Sequence, residues 1–124
     1  MFESPKMTND LYTDFVAVRM KGGEDIHTSL TPGKCDLLHG AIGVAGEAGE
    51  LLDAVKKHVI YGQPLNLGNA IEELGDIEFY LQAIRNSLGI PREFIIQRNV
   101  EKLQKRYPIQ YSDEKAQSRD DKNS

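Results

Sequence analysis

At 124 residues and 40% hydrophobic composition, the chain is long enough for one domain with a modest core. It contains no run of about 18 apolar residues, which excludes a helical membrane span, and its net charge of −4 argues against nucleic-acid binding, which needs a basic surface. The first residues do not predict a signal peptide, and the single cysteine, Cys35, has no partner for an internal disulfide. We therefore expect a cytoplasmic protein with one domain, 1–111, and a disordered polar tail, 112–124.

The first quarter of the chain predicts one helix and one loop. Thr8 or Asn9 is a suitable N-cap for a helix that runs to about Lys21. The next segment, 22–33, is rich in glycine, proline and polar residues, which break helices. We therefore expect a polar loop before the next helix begins.

Two long helices are predicted next, over residues 34–57 and 67–88. The intervening segment, 60–66, contains Gly62 and Pro64, so the helices should fold back against each other in antiparallel orientation. Apolar residues recur in both helices at helical spacing, and each such stripe is expected to face a core. The stripes are Leu37, Ala41, Val44, Ala48, Leu51, Leu52 and Val55 in the first helix, and Ala70, Leu74, Ile77, Leu81, Ile84 and Leu88 in the second.

Four acidic residues lie beside these apolar stripes: Glu47 and Glu50 on the first long helix, Glu73 and Asp76 on the second. At ~1.5 Å per residue, Glu50 and Asp76 each lie about 15 Å from the turn, so all four carboxylates can reach one point. One Glu-x-x-Glu pair alone is more often a solvated helix face, but two pairs at matching depth favour a metal site. Because clustered carboxylates repel one another, the arrangement favours a hard divalent cation, Mg²⁺ or Mn²⁺.

Three glycines, Gly43, Gly46 and Gly49, lie inside the first acidic helix. Each costs about 1 kcal/mol of helix stability relative to alanine. A purely structural helix does not need them. We interpret them as positions where a partner helix or a ligand approaches the backbone closely.

The last helix begins at Pro91, after Gly89 has ended the preceding one. Asn99, Lys102 and Arg106 project together from it, beside its own apolar stripe. They form either a solvated basic face or a set of donors that grip phosphate groups. The apolar stripe consists of Ile96, Val100, Leu103 and Tyr107.

Aromatic and imidazole side chains occur at helical spacing from the acids. His39 lies two turns before Glu47 on the same stripe, where it is either a hydrogen-bonded structural residue or a substrate contact. Tyr80 follows Asp76 by one turn and is a candidate substrate contact. Phe79 lies opposite the apolar stripe of its helix, which predicts an exposed position and a subunit contact.

The run His39-Gly-Ala-Ile-Gly-Val-Ala-Gly-Glu-Ala-Gly-Glu50, followed by Glu73-Leu-Gly-Asp76 and Phe79-Tyr80-Leu81, resembles the MazG-like, all-α nucleoside triphosphate pyrophosphohydrolases. The likeness continues through Leu88-Gly89-Ile90 and a later segment, 99–108, so that it covers roughly residues 36 to 108. The resemblance implies an all-α bundle of four to five helices that is completed by oligomerisation, as a homodimer or homotetramer.

The resemblance also implies a function. A ribo- or deoxyribonucleoside triphosphate would be cleaved between its α and β phosphates to a monophosphate and pyrophosphate, with Mg²⁺ held by the four acids Glu47, Glu50, Glu73 and Asp76. We expect Glu47 or Glu50 to accept a proton from the attacking water. Some relatives carry another Glu directly before the first motif acid, where this chain has Gly46, so the resemblance does not extend to that carboxylate. Expected substrate-binding residues are His39, Tyr80, Asn99, Lys102 and Arg106.

Three alternatives remain open at this stage. A di-iron carboxylate bundle uses Glu-x-x-His pairs, whereas the second pair members here are Glu50 and Asp76. A non-catalytic helical regulatory or assembly protein would use the acids only to bind a metal ion, a nucleotide or solvent. A third alternative, within the enzyme class, is action on a dinucleotide or a modified nucleotide.

Overall fold

The computed structural model describes residues 6–109 and residue 113, and within these residues it contains helices and no strand. The predicted all-α class is therefore confirmed. Across the described residues, no helix has the combination of length and apolar character that crossing a membrane requires. The predicted polar tail, 112–124, lies outside the described residues except for residue 113. The helices are α1, Asn9–Ala17; α2, Gly23–Ser29; α3, Pro32–Val59; α4, Leu67–Leu88; and α5, Arg92–Arg106.

The chain divides after Pro32 into two compact units, and α1 belongs to the first. Thr8 is its N-cap, as predicted, because its Oγ1 accepts a hydrogen bond from the Leu11 backbone N–H at 3.2 Å. The helix ends at Ala17 and not near Lys21. The regular pattern changes at residue 19, whose N–H donates to the Val16 carbonyl three residues back and not to the Phe15 carbonyl four residues back.

The expected loop over 22–33 is wrong in part, since this segment contains the short helix α2. Glu24 and Asp25 lie in its first turn, where negative charge suits the helix dipole. The hydroxyl of Thr28 donates to the Glu24 carbonyl at 2.9 Å. The flanking Gly and Pro residues thus limit this helix to two turns but do not prevent it.

The hairpin of α3 and α4 has nearly the predicted bounds, and its ends are capped as the sequence indicates. Gly62, in the turn, has a φ of 66°, which a residue with a side chain rarely adopts. Asn66 caps α4 by accepting a hydrogen bond from the Asn69 N–H at 3.0 Å. Gly89 ends the helix in the left-handed region, with φ 67°.

α3 and α4 pack antiparallel along the stripe of small and acidic residues. A Cβ placed on the buried Gly40 would lie 2.7 Å from Cγ1 of Ile84. A Cβ placed on Gly43 would overlap the ring of Tyr80. Gly40 meets Ile84 and Gly43 meets Tyr80, so the contacts advance along α3 while they go back along α4. This antiparallel pairing confirms the predicted hairpin. The close-approach prediction is confirmed for Gly43. At positions 46 and 49, apart from the adjoining residues and the local backbone of α3, no described atom lies within 4 Å of such a Cβ.

Much of the predicted apolar stripe of α3 is exposed in the single chain, contrary to expectation. Val44 and Leu51 are half-buried, but Leu52 is 67% exposed. Among the described residues, Ala70 of α4 is the one buried apolar side chain, although Ile77, Leu81 and Ile84 of its stripe are half-buried. The reason is that the glycines let α4 pack against the small-residue side of α3, so that α4 covers the apolar side only in part.

α5 follows Pro91, as predicted, and ends at Arg106. Its predicted core residues Ile96, Val100 and Leu103 are exposed, and Tyr107 is half-buried. The single chain therefore leaves an apolar face on this helix as well.

The two glycines Gly43 and Gly46 provide a matched test of this packing. Replacing Gly43 by alanine should lower the free energy of unfolding by about 1–3 kcal/mol, because the Tyr80 ring must move. Replacing Gly46 by alanine should raise it by about 0.5–1 kcal/mol, because the new methyl group meets no described atom and alanine favours the helix. Urea unfolding followed by circular dichroism measures both values. Equal effects of the two substitutions would contradict the observed helix contact.

Candidate metal centre and adjoining cavity

Three carboxylates from the two long helices converge. Glu47 of α3 and Glu73 and Asp76 of α4 each place one oxygen within 4.8 Å of the others. Glu47 and Glu73 are half-buried, and Asp76 is exposed. The antiparallel contact at Gly40 and Gly43 determines which residues of α3 and α4 lie opposite each other. Glu47 lies one turn beyond Gly43 on the same side of α3, so it meets the acids of α4. Three of the four predicted acids thus form one group.

The pKa of Glu73 is raised by its surroundings in this group. A hydrogen bond with Glu47, desolvation, and the negative charges of Glu47, Asp76 and Glu50 together raise its pKa from 4.5 to about 7. The raised pKa means that Glu73 is protonated more readily than an ordinary glutamate, and its protonation relieves part of this repulsion. A cation would relieve the same repulsion without a proton.

The second carboxylate oxygen of Glu73, Oε2, is buried and has no hydrogen-bond partner among the described residues. A buried acceptor without a partner is destabilising. A bound cation would supply what this oxygen lacks, and an all-oxygen group of acids suits a hard divalent ion such as Mg²⁺ or Mn²⁺. The side chains present therefore fit a divalent cation.

Glu50, the fourth predicted acid, is exposed and is not one of the three carboxylates within 4.8 Å. It lies near enough for its charge to contribute to the raised pKa of Glu73. It is therefore a neighbour of the group in this structure, and its role as a metal ligand stays a prediction.

His39 of α3 and Tyr80 of α4 lie close together across the hairpin, on the two stripes that also carry the acids. Their ring centroids are 6.0 Å apart, with the planes inclined by 59°. Phe79 packs edge-on against Tyr80, with centroids 5.2 Å apart, and it is 69% exposed, as predicted. A cavity of about 400 Å³ lies here between α3 and α4. Its lining consists of Asp36, His39, Gly40, Phe79, Tyr80, Ala83, Asn86 and Ser87.

Three polar residues of this cavity, Asp36, Asn86 and Ser87, were not among the site residues predicted from the sequence. Asp36 precedes His39 by three residues, so the acidic stripe of α3 extends to it. Asn86 lies on α4 beside Ser87, two turns or more from the acids. The helical spacing of Asp36 was a signal that could have found it, whereas Asn86 needed the three-dimensional packing.

The predicted phosphate-binding residues of α5 lie apart from the groups described so far. Asn99 and Lys102 are exposed, and Arg106 is half-buried with its guanidinium carbon 5.9 Å from the Tyr107 ring centroid. None of them belongs to the three-carboxylate group or to the cavity lining. Their contact with a phosphate stays a prediction.

Comparison with known proteins identifies the family to which the chain belongs. The family model of the MazG nucleotide pyrophosphohydrolase domain matches residues 41–110, which include all four predicted acids. The chain belongs to the MazG family. This MazG protein is also 34% identical over 90 residues to Gene 37 protein of Mycobacterium phage L5, a match that covers 64% of this chain and 78% of the phage protein. No solved structure matches it.

The raised pKa of Glu73 makes the stability of the MazG domain dependent on pH. The folded state binds this proton more tightly than the unfolded state, so the stabilisation is present below about pH 4.5 and is lost as pH rises through about 7. Without divalent cations, Glu73→Gln should therefore be more stable than the unmodified protein at about pH 8 and should lose the advantage at about pH 5. Thermal unfolding at both pH values measures the difference.

The control for this experiment is Glu72→Gln, at the exposed neighbouring position. It removes the same charge from α4 but not from the carboxylate group. A pH dependence that is the same in both variants would show that Glu73 is not the group responsible.

Proposed function

We propose that this MazG protein hydrolyses nucleoside triphosphates, with ribose or deoxyribose, between the α and β phosphates, releasing a nucleoside monophosphate and pyrophosphate. The observation that carries the proposal is the three-carboxylate group, with its raised pKa and its buried acceptor that lacks a partner, inside a domain of the pyrophosphohydrolase family. A structural acidic face would gain nothing from bringing these groups together, since repulsion destabilises the fold.

Glu47, Glu73 and Asp76 would hold the cation, taken to be Mg²⁺ with Mn²⁺ as a substitute. When bound, the ion would neutralise part of the triphosphate charge and lower the pKa of a bound water. The residues themselves would fix the position of the polyphosphate relative to the α3–α4 hairpin. Because they come from two rigid helices, little reorganisation would be required.

Glu50 is our candidate for the general base. Its carboxylate is exposed and stands outside the three-carboxylate group, so it remains available to accept a proton. The water oxygen would form a bond to the α phosphorus while Glu50 takes the water proton. The bond from that phosphorus to the bridging oxygen would break, and its electron pair would leave with pyrophosphate.

The substrate contacts proposed from the sequence complete the site. Lys102 and Arg106 would donate charge-assisted hydrogen bonds to the departing phosphates, and Asn99 lies on the same stripe of α5. His39 and Tyr80, whose rings lie together between α3 and α4, would contact the nucleoside.

We further propose that a second copy of the chain covers the exposed apolar faces, as a homodimer or homotetramer. Leu52 and Leu74, both expected in a core, are 67% and 52% exposed. Surfaces with this apolar content are rare on monomeric proteins and mark interaction sites. The helices that carry them also carry the carboxylates, so assembly would stabilise the site.

The reaction is tested with a panel of ribo- and deoxyribonucleoside triphosphates and Mg²⁺. Pyrophosphate should be released, and Glu50→Gln should lower kcat by about 10²- to 10⁴-fold while Mg²⁺ still raises the melting temperature. Glu47→Gln should lose both the activity and the Mg²⁺ effect, because it removes a proposed ligand. Asp53→Asn, an exposed acid of α3 paired with Lys57, is the control.

Release of orthophosphate would reject the assigned bond. A protein that stays inert toward every nucleotide, yet still binds Mg²⁺, would favour a non-catalytic binding or regulatory protein. Full activity of Glu50→Gln would remove that residue as the base without affecting the cation site.

The assembly is tested by placing a charge on the exposed apolar face. Leu52→Lys should shift the mass measured by light scattering after size exclusion toward that of one chain, because burying an unpaired charge is costly. Gln63→Lys, in the exposed turn, adds the same charge elsewhere and should leave the mass unchanged. A single-chain mass for the unmodified protein would refute the proposed oligomer.

A further inference from the structure

Four polar side chains of α4 form a continuous series of contacts that ends at the cavity between α3 and α4. Nη2 of Arg85 lies 3.7 Å from Oε2 of Glu78. Nε and Nη2 of Arg85 donate to Oε1 of Gln82 at 3.0 and 2.9 Å, and Nε2 of Gln82 donates to Oδ1 of Asn86 at 2.7 Å. Asn86 is the member of this series that lines the cavity. None of the four belongs to the three-carboxylate group.

Arg85 anchors the series because its side chain is largely buried. It is 11% exposed, whereas the side chain of its ion-pair partner Glu78 is 61% exposed. A guanidinium keeps its charge in proteins and can only donate hydrogen bonds, so burying it requires acceptors close by. Gln82 therefore cannot turn its oxygen away without leaving two donors of a buried charge unpaired.

This anchor determines the direction of the remaining hydrogen bond. Because the oxygen of Gln82 faces Arg85, the amide nitrogen of Gln82 faces Asn86 and donates to it. Asn86 must then direct its oxygen toward Gln82. Among the described residues, none accepts a hydrogen bond from the amide nitrogen of Asn86. That nitrogen is the end of the side chain left to donate at the cavity wall.

We propose that Arg85 and Gln82 are positioning residues, which hold the amide of Asn86 so that its N–H donors face a bound substrate. The substrate atom that meets Asn86 is then an acceptor, such as a hydroxyl, carbonyl or ring-nitrogen atom. The inference rests on the proposed function, since it takes the cavity beside His39 and Tyr80 as part of the substrate site.

A fixed amide has an advantage over a free one. The two ends of an asparagine amide have nearly the same shape, so a free side chain presents its oxygen as readily as its nitrogen. A substrate acceptor would then meet the wrong end in about half of the molecules, and its apparent affinity would fall by about twofold. Side chains behind the contact residue remove this loss by holding one orientation before the substrate binds.

Two substitutions reverse the polarity at the cavity while keeping Arg85 paired. Gln82→Glu leaves an acceptor for Arg85 but removes the N–H that Asn86 accepts. Asn86 should then turn its amide, donate to position 82 and present its oxygen to the cavity. Asn86→Asp still accepts from Gln82 and leaves only acceptors at the cavity. Gln82→Ala differs from both, because it frees the amide of Asn86 and leaves the buried Arg85 without this acceptor.

The first experiment measures the orientation of the amide without any substrate. The rate at which side-chain amide protons exchange with water is followed by NMR in the ¹⁵N-labelled full chain, and Asn86 is assigned by its absence in Asn86→Asp. Gln82→Glu should slow the exchange of the Asn86 amide by about two- to tenfold, since it gains a hydrogen bond. An exchange rate equal to that of the unmodified protein would overturn the fixed orientation.

The second experiment measures kcat and KM for the triphosphate that the unmodified protein hydrolyses best, with every variant checked for helical circular dichroism. Gln82→Glu and Asn86→Asp should each raise KM by about tenfold and leave kcat within about twofold, because the lost contact lies away from the reacting phosphorus. Gln82→Ala should raise KM by only about twofold. Gln63→Glu, which adds the same charge in the exposed turn, should leave KM unchanged.

The order of the two substitutions at position 82 separates positioning from a merely structural role. A structural role makes Gln82→Ala the more harmful one, since it leaves the buried guanidinium unpaired, and that order in KM would overturn the inference. Hydrolysis with the same KM in Gln82→Glu and Gln63→Glu would also overturn it and leave the proposed function standing. An unmodified protein that hydrolyses no nucleotide would overturn the proposed function and, with it, the cavity as a substrate site.

Discussion

The contact between the glycines of α3 and the side chains of α4 sets the geometry on which the rest of the second unit depends. At Gly40 and Gly43 the backbone of α3 lies against Ile84 and the Tyr80 ring, with no room for an added Cβ atom. That approach fixes both the distance between the helices and their register. One turn further along α3, the same register brings Glu47 to Glu73 and Asp76. A larger residue at the contact would separate the helices and open the acidic group.

The acidic group makes the fold less stable than an apolar contact at the same place would make it. The raised pKa of Glu73 and the buried oxygen of its carboxylate that lacks a hydrogen-bond partner both indicate this cost. Such strain tends to persist at functional sites, where a ligand offsets it. The group lies in the region that matches the MazG nucleotide pyrophosphohydrolase domain, and the function we propose would give this cost a chemical purpose.

The α3–α4 hairpin also orders the parts of the site along one axis. The cavity, Tyr80 and the three-carboxylate group follow one another over a few helical turns. The apolar sides of α3 and α5 stay exposed in one chain, so the same hairpin that builds the site leaves surface for the proposed second copy.

Helix periodicity, capping residues and the paired acidic motifs were enough to predict the all-α class, the hairpin and the grouping of Glu47, Glu73 and Asp76. These features are local or depend on one simple turn, so spacing alone determines them. The short helix α2 was not predicted, because the glycine and proline content of segment 22–33 indicated a loop. The acidic residues in its first turn, which favour a helix, were a weaker signal. Only the tertiary structure decided three other features: which side of α3 packs, the position of Glu50 outside the acidic group, and the cavity with Asn86. The physical reason is that two candidate stripes lie side by side on each helix, and only the close fit of small residues against large ones selects which of them meet.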